Sequence, residues 1–111
     1  MNLDLIVKFG EVIGRNWMIF ESGEVKDITH GKQLIATTFK FFLPKLKSLI
    51  LDYIIENKIQ FYIEEKYNSK NKLVSGWIAT KELKVKSNYY IWSEDFMEAI
   101  MKLAIKLNKN D

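Results

Sequence analysis

Residues 59 to 80 read IQFYIEEKYNSKNKLVSGWIAT, and this stretch decides the fold. Apolar side chains alternate with polar ones from Ile59 to Tyr67, and this period of two turns one apolar face inward in a β-strand. The polar residues 68 to 72 are typical of a turn, and apolar residues resume from Leu73 to Thr80. The stretch therefore predicts an antiparallel hairpin.

A third strand is predicted after the hairpin, within Leu83 to Trp92. Leu83 and Val85 alternate with two lysines there, and an aromatic run follows at residues 89 to 92. Together the three strands would form a meander.

A helix is predicted from Ser93 to the end of the chain. Ser93 is a suitable N-cap, acidic residues occupy the first turn, and lysines lie toward the C-terminus, which complements the helix dipole. Its apolar arc is wide and is either deeply buried or shared with a partner. We take the residues that widen it as a partner or dimer face: Met97, Met101 and Ile105.

Upstream, the pattern predicts a helix that opens with Pro44 in its first turn and ends at Asn57. Residues from Gln33 to Leu43 are rich in β-branched and aromatic types, yet they also place apolar side chains at helical intervals. Strand and helix both remain open for that segment.

The start of the chain favours a short helix that is ended by Gly14, over a strand beginning at Leu3. A short strand at Trp17 to Phe20 and a polar loop at Ser22 to Gly31 follow. The expected architecture is a single α+β domain over residues 1 to 111, with an antiparallel sheet of three to four strands covered by two to three helices.

In this order, the elements resemble those of the phage ABA-sandwich family, in which helices cover an antiparallel sheet. The resemblance is carried by the opening residues 3 to 7 and 12 to 17, by Pro44 before the second helix, by Trp77 in the hairpin, and by residues 98 to 100 in the last helix. It implies an origin in a phage or other mobile element and a bias toward binding host components. It implies no assigned chemistry and no site residue.

The amino-acid composition indicates which broad class of protein this is. The chain is 48% hydrophobic and 28% charged, which is typical of a globular protein and not of a disordered chain. It has no cysteine, so disulfides and thiolate sites are excluded. No apolar run is long enough to cross a membrane and the first residues lack a basic start, so we expect a cytoplasmic protein with no membrane partner.

The net charge is concentrated between Lys66 and Lys86, where six lysines face one acid. A polyanion-binding site is therefore one hypothesis, with Tyr62, Trp77 or Tyr90 available for base stacking where they are exposed. The ordinary interpretation, lysines that keep a hairpin soluble and unaggregated, carries more weight because the net charge is only +3. The candidate polyanion-binding residues are Lys70, Lys72, Lys84 and Lys86.

Catalytic motifs are missing from the sequence. His30 is the one histidine and has no recognisable nucleophile or acid beside it, and Asp52 and Glu56 alone make an incomplete metal shell. We therefore expect no enzyme, no cofactor and no metal site.

Two functions remain as hypotheses. The first is a small non-enzymatic interaction protein of phage or mobile-element type, which binds and could inhibit a host macromolecule, a host protein being the expected partner and a homodimer an option. The second is nucleic-acid binding through the lysine-rich hairpin.

Overall fold

The computed structural model describes residues 2–29, 35–81 and 89–109. Helices and strands follow one another along the chain in the order α1 (Leu3–Val12), β1 (Trp17–Ile19), β2 (Glu24–Asp27), β3 (Ile35–Thr38), α2 (Phe39–Asn57), β4 (Gln60–Tyr67), β5 (Leu73–Lys81), β6 (Tyr89–Ser93) and α3 (Phe96–Lys109).

The first three strands form an antiparallel sheet in the order β1-β2-β3. The predicted strand beginning at Trp17 is confirmed, whereas the predicted loop at Ser22 to Gly31 is wrong, because β2 runs through it. The turn before β2 contains Gly23 in the left-handed region, at φ 93°. Val25 is the buried apolar residue of β2, and one such residue among polar neighbours gives too little periodicity to predict a strand.

The segment Gln33 to Leu43, for which the sequence left strand and helix open, contains both a strand and the start of a helix in its described part. Strand β3 ends at Thr38, whose backbone is extended, and α2 begins at the next residue. The amide of Phe39 donates a hydrogen bond of 2.7 Å to the carbonyl of Gly23, which satisfies one of the unpaired N–H groups at the start of α2.

Helix α2 begins five residues before Pro44, so the predicted start at this proline is wrong. Pro44 lies inside the helix and offers no N–H to the carbonyl of Lys40. The predicted end at Asn57 is confirmed, and Lys58 follows it with a left-handed backbone at φ 54°.

The second sheet is the predicted meander, in the order β4-β5-β6. Strands β4 and β5 pair without interruption from Gln60 opposite Thr80 to Tyr67 opposite Leu73. In the turn between them, the side chain of Asn68 accepts hydrogen bonds from the amides of Lys70 and Lys72.

The helical prediction is confirmed at both ends of the chain. Helix α1 is capped by the side chain of Asn2, which accepts from the amide of Leu5 at 3.2 Å. Helix α3 begins at Phe96, and the side chain of Asp95 accepts from the amide of Glu98 at 2.9 Å. Asp95 therefore caps α3, and the predicted N-cap at Ser93 is wrong, because Ser93 is the last residue of β6.

One hydrophobic core joins the three helices, the first sheet and one side of the second. Helix α3 contributes six buried residues to it, so its wide apolar arc is explained by burial within the chain. The largest fully buried side chains are Trp17, Phe9, Ile6, Leu46, Ile50, Ile78, Ile100, Met101, Leu103 and Val25.

One residue of the predicted partner face is buried in the core. Met101 is fully buried, so its assignment to a partner face is wrong, while Met97 and Ile105 are half-buried against the core. The predicted α+β class with antiparallel strands and three helices is confirmed, the strands being divided between two sheets of three.

Candidate protein-interaction surface

The register of the second sheet determines which side chains share a face, because directly opposed residues point to the same side. One side, here called the apolar face, carries Phe61, Ile63, Tyr67, Leu73, Trp77 and Ala79, with the polar pair Glu65 and Ser75 lying between Ile63 and Tyr67. The opposite side, here called the aromatic–lysine face, includes Tyr62, Glu64, Lys66, Tyr90 and Trp92.

The inner half of the apolar face belongs to the core. The ring of Phe96, in the first turn of α3, lies 5.0 Å from the rings of both Phe61 and Trp77. Ala79 is fully buried beside them. The first turn of α3 therefore covers this half of the face.

The outer half of the apolar face is open to solvent. Ile63 is 63% exposed, Tyr67 71% and Leu73 55%, and Phe61 at its inner border is 45% exposed. The sequence prediction that this strand turns its apolar side inward is therefore wrong for the outer half. The reason is geometric: the hairpin extends past the first turn of α3, and no residue that the structure describes covers its outer part.

Exposed apolar side chains continue from the sheet onto the helices. A cavity of about 210 Å³ is lined by Lys47, Ile50, Leu51, Phe96 and Met97, next to the Phe61 ring. Leu51 and Ile55 lie one turn apart on α2 and are both exposed. We call the combined area the interaction surface, and define it as Leu51, Ile55, Phe61, Ile63, Tyr67 and Leu73. Exposed apolar areas bordered by polar residues mark interaction sites, and the exposed pair Glu65 and Ser75 divides the sheet part of this one between Ile63 and Tyr67.

Strand β4 adds backbone groups to this surface. It forms one edge of its sheet and pairs with β5 alone among the described strands. Natural edge strands are protected by shortness, charged side chains, proline or a bulge. Strand β4 has eight residues, no proline and an uninterrupted register, and its charged residues are Glu64, Glu65 and Lys66. Its outer N–H and C=O groups can therefore accept another strand.

The aromatic–lysine face is organised around Lys66. Its ammonium donates to the Tyr90 hydroxyl at 3.0 Å and lies over the rings of Tyr90 and Trp92 at 5.3 and 5.4 Å. The hydrogen bond with Tyr90 raises the pKa of Lys66 above its ordinary value. Its charge is held over these rings and does not project from the β4 edge.

The structure describes two of the four candidate polyanion-binding lysines. Lys70 and Lys72 lie exposed at the hairpin turn, whereas Lys84 and Lys86 fall outside the described residues. Trp77, considered for base stacking, packs against Phe61 and Phe96 on the apolar face. Tyr62 and Tyr90 are exposed on the opposite face.

The remaining candidate residues form no chemical site within the described chain. His30 lies outside the described residues. Asp52 and Glu56 border a shallow cavity with Arg15, and no cluster of three or more metal-ligating side chains occurs across residues 2–29, 35–81 and 89–109. Within the same residues, no helix combines the length and apolar character that a membrane span requires.

No protein-family model matches the chain, and neither the curated proteins nor the solved structures contain a significant match. The resemblance to the phage ABA-sandwich family stays a prediction.

Proposed function

We propose that this chain is a small non-enzymatic interaction protein that binds a host protein through the interaction surface. The phage or mobile-element type that the resemblance implies belongs to the proposal, as does inhibition of the host protein as a consequence of binding. The observation that carries it is the open outer half of the apolar face, next to the open edge of β4.

Energetics support this assignment of the surface. Four large apolar side chains on one side of the hairpin each keep close to half or more of their area in water. Removing that remaining area from water contributes on the order of 1 kcal/mol for each side chain. A partner that also pairs with the β4 edge gains main-chain hydrogen bonds, so apolar contact and strand addition act together.

Site-specific photo-crosslinking in bacterial cells tests the proposal. A benzophenone amino acid at Tyr67 should give a discrete crosslinked protein, whereas the same probe at Lys8 should not. Lys8 is exposed on α1 and outside the interaction surface, which makes it a matched control. The double variant Ile63→Lys, Leu73→Lys should suppress the Tyr67 crosslink while the thermal unfolding curve stays cooperative. Identical crosslinks from Tyr67 and Lys8, or a crosslink that survives the double variant, would contradict the proposal.

Single-stranded nucleic-acid binding is the second candidate function. It is favoured by the exposure of Tyr62 and Tyr90 on one face, near Lys66, with Lys70 and Lys72 at the adjacent turn. Aromatic rings beside lysines are the usual elements of a stacking site.

Titration with labelled single strands at low and moderate salt tests the second function. Contacts to phosphates by the four candidate lysines should lower the affinity for a single strand about 50-fold between 50 and 200 mM salt. The variant with Lys70, Lys72, Lys84 and Lys86 all changed to glutamate should lose both the binding and its salt dependence. Absence of binding by the unmodified protein at the lower salt concentration would exclude this function.

A further inference from the structure

We infer that a second copy of this chain occupies the interaction surface, with the two β4 strands paired antiparallel across a two-fold axis in a continuous six-stranded sheet. The inference goes beyond the proposed function: it concerns the same surface but names a second copy of this chain as its occupant, and the experiments below distinguish the two occupants. The observations behind it are the open edge of β4 and the distribution of charge and apolar side chains along it.

Symmetry restricts the possible registers. In an antiparallel two-fold pair, opposed residues lie on the same side of the sheet, so the axis passes through one residue and its copy. Axes at Ile63 or Glu64 pair seven residues of β4, and neighbouring axes pair fewer. An axis at Glu64 places two glutamates directly opposite, which is destabilising.

The axis at Ile63 is favoured by its side-chain pairs. Ile63 packs against its copy on the apolar face, and Phe61 lies beside the aliphatic part of the opposed Glu65. On the other face, Tyr62 opposes Glu64, and the amide of Gln60 opposes Lys66. No like charges face each other in this register, and the Tyr62 hydroxyl is able to donate a hydrogen bond to the opposed Glu64, while Lys66 keeps its contact with Tyr90.

The same register brings the hairpin tip of one copy to the end of α2 in the other copy. Tyr67 of one copy lies opposite Ile59 of the other, immediately after α2, where Ile55 is exposed. The outer end of each apolar face thereby approaches the exposed side of α2 in the other copy. Because the interface is self-complementary, this contact between Tyr67 and the end of α2 occurs twice in the dimer.

The surface area of one chain is sufficient for such a dimer. The accessible surface is 7717 Å², about a fifth more than the roughly 6400 Å² expected for a 13.1 kDa monomer. Stable interfaces remove about 800 Å² from each partner, which is less than this excess.

Cysteine crosslinking tests the arrangement, and the natural chain contains no cysteine to interfere. Under mild oxidation, Ile63→Cys should form a disulfide-linked dimer about tenfold faster than Lys8→Cys, because the two-fold axis holds its thiols together. An equimolar mixture of Tyr62→Cys and Glu64→Cys should form mixed dimers faster than either variant forms its own. This pair keeps the test valid where Ile63→Cys fails to fold. Unmodified protein should sediment as a dimer at micromolar concentration.

A chain that sediments as a monomer, with Ile63→Cys reacting no faster than Lys8→Cys, would overturn the inference. Preferential crosslinking centred on Glu64 or Glu65 would overturn the proposed register. The mass of the Tyr67 photo-crosslink distinguishes the two proposals. If the only product has twice the mass of the chain, the result supports the second copy and contradicts a host partner. A heavier or lighter adduct from a chain that is monomeric in solution contradicts the second copy and supports the host partner.

Discussion

Two glycines of this protein leave no room for a side chain, because a tryptophan ring packs directly against each. A Cβ on Gly10 would come within 2.5 Å of the Trp17 ring, and a Cβ on Gly76 within 2.4 Å of the Trp92 ring. The first contact joins α1 to β1 in the core. The second forms part of the aromatic–lysine face.

Gly76→Ala should lower the free energy of unfolding by about 1 to 3 kcal/mol, because the added methyl group forces Trp92 off the sheet. Urea denaturation followed by tryptophan fluorescence measures this change. Ser75→Ala, at the neighbouring exposed position, is the matched control and should change the stability by less than about 0.5 kcal/mol. Equal effects of the two substitutions would show that Trp92 does not depend on Gly76.

Asp27 is the second residue whose surroundings have a measurable consequence. Partial burial raises the pKa of its carboxyl, but hydrogen bonds from the Thr29 hydroxyl and amide, with contributions from Trp17 and Lys45, outweigh burial and lower the pKa below its ordinary value. Trp17 is the strand partner of Asp27, and its indole N–H is buried without a partner that meets hydrogen-bond geometry in the described chain.

Because the folded-state pKa of Asp27 lies below the unfolded value of about 3.9, the ionised carboxyl stabilises the fold at neutral pH. That stabilisation is lost as the pH falls through the folded-state pKa. Asp27→Ala should cost about 1 to 3 kcal/mol at neutral pH, and the difference from the unmodified protein should shrink as the pH falls below the unfolded value of about 3.9. Unfolding free energies across this range measure it, with Glu21→Ala as a charge-matched control. A difference that is constant with pH would contradict the assignment.

At the scale of elements, the start of α3 is determined by whether Ser93 belongs to the strand β6 or caps the helix. Ser93 and Asp95 are both common capping residues. Pairing of Ser93 with Trp77 keeps Ser93 in β6, so the helix begins later and Asp95 becomes the cap.

Asp95→Ala should therefore destabilise the protein by about 1 kcal/mol, which is the usual cost of losing an N-cap. Glu94→Ala, one residue earlier and also acidic, should leave the stability unchanged within about 0.5 kcal/mol. Thermal unfolding of both variants makes the comparison. An equal loss in the two variants would point to the helix dipole and not to the cap.

The sequence predicted the hairpin and both terminal helices, because their periodicity extends over many residues. Of the predicted third strand within Leu83 to Trp92, the part from Tyr89 on is confirmed as β6, and the alternation at Leu83 and Val85 lies outside the described residues. It did not separate β3 from α2, since the change at Thr38 depends on a carbonyl fifteen residues earlier, at Gly23. The interaction surface was missed for another reason. Alternation from Phe61 to Tyr67 shows that one face is apolar, but it contains no information on how far a helix covers that face.

At the scale of the whole molecule, the hairpin makes the chain extended. The radius of gyration is 15.5 Å, against about 13 Å for a compact chain of this length. Residues at the hairpin tip are joined to the core by their strand pairing alone, so their opening costs less free energy than opening of α3.

Amide hydrogen exchange in dilute solution should show this gradient. Protection should be highest for the buried residues Leu103 and Ala104 of α3 and lowest around Asn68 to Leu73. Nuclear magnetic resonance at two protein concentrations makes the measurement, and protection confined to β4 should rise with concentration if that strand pairs with its copy. Uniform protection of tip and core in dilute solution would contradict the prediction.

The hydrogen bond from Phe39 to Gly23 also has a kinetic consequence. The first turn of α2 depends on a carbonyl that is in position only after the turn between β1 and β2 has formed. Since that partner is non-local, the start of α2 is ordered together with the first sheet, and a peptide of residues 35–57 alone would fray at its N-terminal end. Folding rates should therefore fall when the left-handed conformation of Gly23 is made unfavourable, as in Gly23→Val, even though a Cβ at that position contacts nothing.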